Sequence, residues 1–156
     1  MTQDNRLQRR VYLDLCCFNR PYDDQRFSRI HLETEAKLLI QERIREGLNE
    51  LVWSSVLDYE NAQNPFPERR YAIQQWRWLA KQRVVADVRV REKAKRLIEY
   101  GIKDYDALHV ASAIIGGAQL FVTTDDRLLN RLRKQNDIVA LLPGDALALL
   151  ENWYEN

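Results

Sequence analysis

The sequence predicts an α/β domain built on a parallel sheet. Short β-branched or apolar runs alternate with longer segments of helical period, which is the pattern of an α/β domain with a parallel sheet. Gly and Pro punctuation falls between the two kinds of segment rather than within them. At 156 residues there is room for one such domain with one core, spanning residues 1–156.

Five runs read as strands: Val11–Leu15, Leu51–Ser55, a weaker Val84–Val90, Leu120–Thr124 and Ile138–Leu142. Between the first two, a helix is expected from Ser28 to Glu46, with Ile30, Leu32, Leu38, Leu39 and Ile40 as its apolar stripe and Gly47 as its stop. After the second strand, Ser55 and Asp58 read as a capping-box variant that opens a helix. Asn64-Pro65-Phe66-Pro67 interrupts it, and another helix is expected from Glu68 to Arg83, with Trp76 and Trp78 on opposite sides. A further helix runs from after Arg89 to Gly101. Asp104 then reads as the N-cap of the most apolar helix, Tyr105 to Ile115, which Gly116-Gly117 ends. A basic helix from Asp126 to Lys134 and a C-terminal helix reaching Trp153 complete the series.

Composition narrows the class. Apolar residues at 46% and charged residues at 30% describe a globule rather than a disordered or membrane chain. Met1 to Arg10 is polar and basic, and no run reaches the ~18 apolar residues of a spanning helix, so a cytoplasmic protein without membrane association is expected. Adjacent Cys16 and Cys17 cannot pair without straining the backbone and read as reduced. The net charge of +1 gives no global case for nucleic acid. However, 18 of the 24 basic residues are Arg, clustered at Arg69-Arg70, Arg83 to Arg96 and Arg127 to Lys134.

Four carboxylates share one topological location. Asp14, Glu60, Asp106 and Asp125 each lie at the end of an expected strand or in the first turns of the helix after it. In a parallel sheet those positions converge on one rim. Each has a neighbouring acid with a more ordinary explanation. Asp58 belongs to the capping box and points about 200° away from Glu60 on a 3.6-residue period. Asp104 is placed to cap, which frees Asp106. Either Asp125 or Asp126 could cap the basic helix; Asp125 is nearer the strand tip and takes the site role, with Asp126 as cap or auxiliary ligand. Four converging acids repel unless a cation holds them, and hard oxygen donors without His or Cys select Mg²⁺ or Mn²⁺ rather than zinc. Such ions serve phosphodiester hydrolysis. Asn19 and Arg20, in an Asn-Arg-Pro turn beyond this rim, could orient a ligand or grip a phosphate, or simply form a turn.

Tyr12-Leu13-Asp14, Ser54-Ser55 with Glu60, the block Asp106-Ala107-Leu108-His109-Val110-Ala111-Ser112-Ala113, and Phe121-Val122-Thr123-Thr124-Asp125 together make the chain resemble the PIN-domain nucleases. That family includes the ribonuclease toxins of toxin–antitoxin pairs. The resemblance implies a three-layer α/β/α sandwich with strand order 3-2-1-4-5, and Asp14, Glu60, Asp106 and Asp125 as its acidic quartet. It also implies Thr123 as a supporting hydroxyl, an RNA substrate, an antitoxin partner and a homodimer. His109 is expected to pack or hydrogen-bond rather than to catalyse. Two other readings compete. One is a PIN-fold RNA-binding or scaffold module with weak catalysis, which has no use for four repelling acids. The other is a phosphoryl-accepting domain with Asp14 as nucleophile, which lacks the second Asp two residues on.

Overall fold

The computed structural model describes residues 9–154. The basic segment 1–8, from which the lack of a leader is read, lies outside the described residues. Five parallel strands, β1 (Arg10–Leu13), β2 (Glu50–Ser54), β3 (Gln82–Val84), β4 (Leu120–Val122) and β5 (Val139–Leu141), form a sheet in the order β3-β2-β1-β4-β5. Val11 pairs with Leu51 on one side and Leu120 on the other, and Leu13 pairs with Val122. This central position buries Val11, Tyr12 and Leu13 completely, which is why β1 reads as an unbroken apolar run.

Eight helices flank the sheet among the described residues: α1 (Leu15–Asn19), α2 (Ser28–Arg45), α3 (Ser55–Ala62), α4 (Pro67–Gln74), α5 (Val88–Ile98), α6 (Asp104–Ile115), α7 (Asp126–Leu132) and α8 (Pro143–Leu150). Helix α2 packs against α8, and α5 against α6, giving helical layers around the sheet. Gly116, at the end of α6, is a close-approach glycine. A Cβ there would sit 2.6 Å from Val52 Cγ1 and 2.7 Å from Val84 Cγ2, so its hydrogen lets α6 settle onto β2 and β3.

Several expected boundaries move, each for a local reason. Strand β1 stops at Leu13, and Asp14 is the N-cap of α1 rather than a strand residue. Ser54, not Ser55, caps α3 by accepting from the Leu57 amide at 3.2 Å, while the Ser55 hydroxyl accepts from the Ala86 amide. Asp58 forms no capping box: Trp53 Nε1 and Gln74 Nε2 donate to its carboxylate at 2.8 and 2.6 Å. Lys103 holds the N-cap position of α6, and Asp104 is its first residue. The helix expected from Glu68 to Arg83 ends at Gln74, tightens into a 3-10 stretch over Gln75–Leu79, and gives way to β3 at Gln82. Trp76 on that stretch is half-buried and Trp78 is exposed. Helix α8 ends at Leu150, short of Trp153.

The stripe of α2 is rotated from the expected one, with Ile40 buried and Ile30 half-buried. Leu32, Leu38 and Leu39 face outward, and the buried face carries Glu33, Thr34, Ala36, Lys37, Ile40, Gln41 and Ile44 at helical spacing. Glu33 is neutralised by Arg20 at 2.7 Å and Arg29 at 3.2 Å. Lys37 forms no ion pair or hydrogen bond among the described residues, and its Nζ lies 5.7 Å from the centre of the Phe18 ring.

Candidate active site

The floor of the site is an extension of the sheet. The Asp14 amide donates to the Val122 carbonyl at 2.9 Å, and the Thr123 amide to the Leu141 carbonyl at 3.1 Å, so both residues continue the ladder one step past the strands. One Asp14 oxygen accepts from the Leu15 amide at 2.8 Å, and the other accepts from the Thr123 hydroxyl at 3.0 Å. The same hydroxyl accepts from the Asp125 amide at 3.2 Å. Thr123 therefore ties two of the four acids together from a fully buried position. Asp125 caps α7 through one oxygen, which takes the amides of Arg127 and Leu128 at 3.0 and 3.2 Å; the other oxygen makes no bond among the described residues. Capping and facing the site are thus one job for Asp14 and for Asp125, not alternatives. Cys16 Sγ rests 3.5 Å from Asp14 and 3.4 Å from the Thr123 hydroxyl, and both cysteines are free thiols.

The opposite wall comes from α3 and α6. His109 Nε2 meets Glu60 Oε1 at 2.8 Å, and its Nδ1 meets the Tyr12 hydroxyl at 2.6 Å. That hydroxyl is in turn 2.7 Å from Ser54 Oγ. Burial opposes a charge on His109, but the hydrogen bond to Glu60 and the fields of Asp14, Glu60 and Asp106 outweigh it and raise the imidazole above its ordinary value. His109 has the expected hydrogen-bonding role; its partner, 49 residues distant, is one no local pattern announces.

Asp106, one turn before His109, is half-buried. Burial, then the charges of Asp14 and Asp125, push its carboxyl up to about 6 from an ordinary 3.8. Burial dominates that rise, the neighbouring acids add to it and His109 opposes it. Among the described residues, Asp14, Glu60 and His109 have donor atoms within 4.8 Å of one another. Oxygen-rich donors in mutual repulsion fit a hard divalent cation, and the single imidazole does not change that preference.

The neighbouring acids have other partners. Asp58 is occupied by Trp53 and Gln74, as its angular distance from Glu60 requires. Asp126 is not the cap: both its oxygens take Arg29 at 2.8 Å, while it lines the same cleft as Asp106 and Asp125. Arg20 is withdrawn, locked by Glu33 and by Asp23 at 3.0 Å, and cannot grip a phosphate in this arrangement. Asn19 stays on the rim of a cleft of about 320 Å³ that Glu60 also lines.

A second cleft, of about 450 Å³, holds Asp106 and Asp125 together with Lys103, Arg127 and Arg131. None of these three cations forms an ion pair among the described residues. Sequence clustering pointed to Arg127 and Arg131 only as a basic helix; that they border the acids follows from Asp125 starting that helix.

The family model of the PIN domain matches residues 11–135. No curated protein matches the chain. Among solved structures, a chain in the crystal structure of VapBC2 from Rickettsia felis bound to a DNA fragment from their promoter superposes with a TM-score of 0.53 at 14% identity. The alignment covers 85% of this chain and 98% of that one, and at this identity the likeness is one of fold. Because the family match runs through every element that carries the four acids, the chain belongs to the PIN-domain family.

Proposed function

We propose that the protein is a divalent-cation-dependent endoribonuclease that hydrolyses single-stranded RNA and leaves 5′-phosphate and 3′-hydroxyl ends. The observation that carries this reading is Asp106, half-buried and within the fields of Asp14, Asp125 and Glu60, whose carboxyl is raised to about 6 by burial first and by those charges second. Asp14, Asp106 and Asp125 would hold Mg²⁺ or Mn²⁺, with Glu60 as a further ligand or as the group that orients the attacking water. When bound, such a cation lowers the pKa of water and offsets charge on a phosphodiester.

The remaining steps belong to the chain. Thr123 fixes the orientation of Asp14 and the start of the Asp125 helix, so the floor is set before any substrate arrives. His109 holds Glu60 from behind, and a proton on Nε2 is directed at that carboxylate. Lys103, Arg127 and Arg131 supply unpaired positive charge beside the acids, where an RNA phosphate would otherwise meet only repulsion.

The test is cleavage of single-stranded RNA with Mg²⁺ or Mn²⁺ by wild type and Asp14→Asn, with product ends mapped. Loss of cleavage in a folded Asp14→Asn supports the assignment; equal cleavage by both defeats it. If wild type binds Mn²⁺ by calorimetry and never cleaves, the chain is instead a PIN-fold binding module. A toxin role, with an antitoxin partner and a homodimer, is supported by the family and by the fold shared with VapBC2. Growth arrest on expression is its direct check. No helix among the described residues is long and apolar enough to cross a membrane.

A further inference from the structure

The cleft beside Glu60 has an opposite wall that the chemistry above does not use. Arg69 lies with its guanidinium carbon 4.0 Å from the centre of the Phe66 ring and 4.9 Å from that of Tyr22. It forms no ion pair among the described residues, although Asp23 and Glu60 line the same cleft. Phe66 is 51% exposed and Tyr22 40% exposed, each with the Arg69 guanidinium over part of its face. Phe66 is also held in place. Pro65 and Pro67 flank it, its amide donates to Asn64 Oδ1 at 3.1 Å, and Asn61 Nδ2 ties α3 to α4 through the Arg70 carbonyl at 2.9 Å. Tyr59, next to Glu60 in the chain, and Tyr105 stack with centroids 6.0 Å apart, both exposed. The acidic centre thus has free cations on its Asp106 and Asp125 side and fixed aromatic faces on its Glu60 side.

We infer that the Glu60 cleft is a base-stacking subsite for an unpaired nucleotide next to the scissile phosphate, with Phe66 as the stacking face and Arg69 as the cation that holds the strand. An unpaired base offers its π-face to a ring, whereas a duplex keeps that face inside its stack. A guanidinium already aligned with rings can cover a base or fork a phosphate without reorganising. The inference rests on the ribonuclease reading, and it makes the preference for single strands a property of Phe66 and Arg69 rather than of the acids.

The experiment measures equilibrium binding of a fluorescent single-stranded oligoribonucleotide, and of its duplex form, to the full chain in an Asp14→Asn background. Phe66→Ala and Arg69→Ala are each expected to weaken single-strand binding by about five- to a hundredfold. Phe66→Trp restores it, and Arg69→Lys, which keeps charge without a plane, recovers it only in part. The parent is expected to bind duplex more weakly than single strand. Unchanged single-strand affinity in Phe66→Ala and Arg69→Ala, or equal affinity of the parent for duplex and single strand, overturns the subsite. If wild type cleaves RNA while these variants bind like the parent, the subsite fails alone. If the variants lose binding while wild type cleaves nothing, the subsite stands and the nuclease reading fails.

Discussion

Lys37 is a buried ammonium on the inner face of α2 with 5% of its surface exposed, and replacing it by Met should stabilise the fold. Burial lowers it from an ordinary 10.5 to about 8, with the nearby Cys17 pulling weakly the other way. That displacement corresponds to about 3 kcal/mol against the charged form. A linear thioether fills a similar volume without the charge. The lost contact with the Phe18 ring returns about 0.5–1 kcal/mol, leaving a net gain of about 2 kcal/mol at pH 7. For a chain of this size that is a rise in Tm of roughly 4–8 °C. The pH dependence carries a sharper signature. Below about pH 8 native and unfolded Lys37 are both protonated and the full penalty stands. Between there and 10.5 the native lysine loses its proton while the unfolded one keeps it, so wild-type stability climbs toward that of Lys37→Met. Denaturant melts of both proteins at neutral and alkaline pH read this difference directly. A variant that is no more stable at pH 7, or a gap between the two that does not close as pH rises, would refute the reasoning.

Gly116→Ala should cost about 1–3 kcal/mol in thermal melts, because the added methyl meets Val52 and Val84 at under 3 Å from both; an unchanged Tm would show that α6 can lift off the sheet freely. Tyr12→Phe should cost about 1–3 kcal/mol, since the buried His109 Nδ1 is left without a partner, and calorimetry should find it destabilised with its core volume intact. Mn²⁺ at a hundredfold excess over its Kd should add about 2.7 kcal/mol to wild-type stability. Asp106→Asn should abolish most of that gain, and an equal thermal shift in both proteins would remove Asp106 from the site.

The layout of the domain was legible because parallel strands covered on both faces leave an unmistakable mark, as β1 and β4 do. Helical geometry alone separates Asp58 from Glu60, and the two do have different partners, Trp53 and Gln74 for one and His109 for the other. What sequence could not reveal depends on partners distant in the chain. Leu32 and Leu39 look like core beside Glu33 and Lys37 until Arg20, thirteen residues upstream, is seen to neutralise Glu33. The same contact removes Arg20 from the rim. Strand β3 hides because its first two residues, Gln82 and Arg83, are exposed at the sheet edge, while the apolar Val85 beyond it is loop. The cap of α7 could not be assigned because either aspartate could take it; Asp125 does, and Arg29, nearly a hundred residues away, holds Asp126.

The two backbone bonds that carry the ladder past the strands, from Asp14 to Val122 and from Thr123 to Leu141, divide the site by lifetime. Amides bonded into a sheet exchange with solvent more slowly than free ones, and of these two the Asp14 amide, between the central strands β1 and β4, should be slower than the Thr123 amide, which bonds to the edge strand β5. Glu60 and Asp106 ride on helices joined to that floor through side chains, chiefly His109, and can shift on a faster clock. Isotope exchange would compare the Asp14 and Thr123 amides with those of α3 and α6 and so rank the two halves of the pocket by lifetime. A ligand that needs a different fit would therefore be accommodated by α3 and α6, with the sheet as the fixed reference.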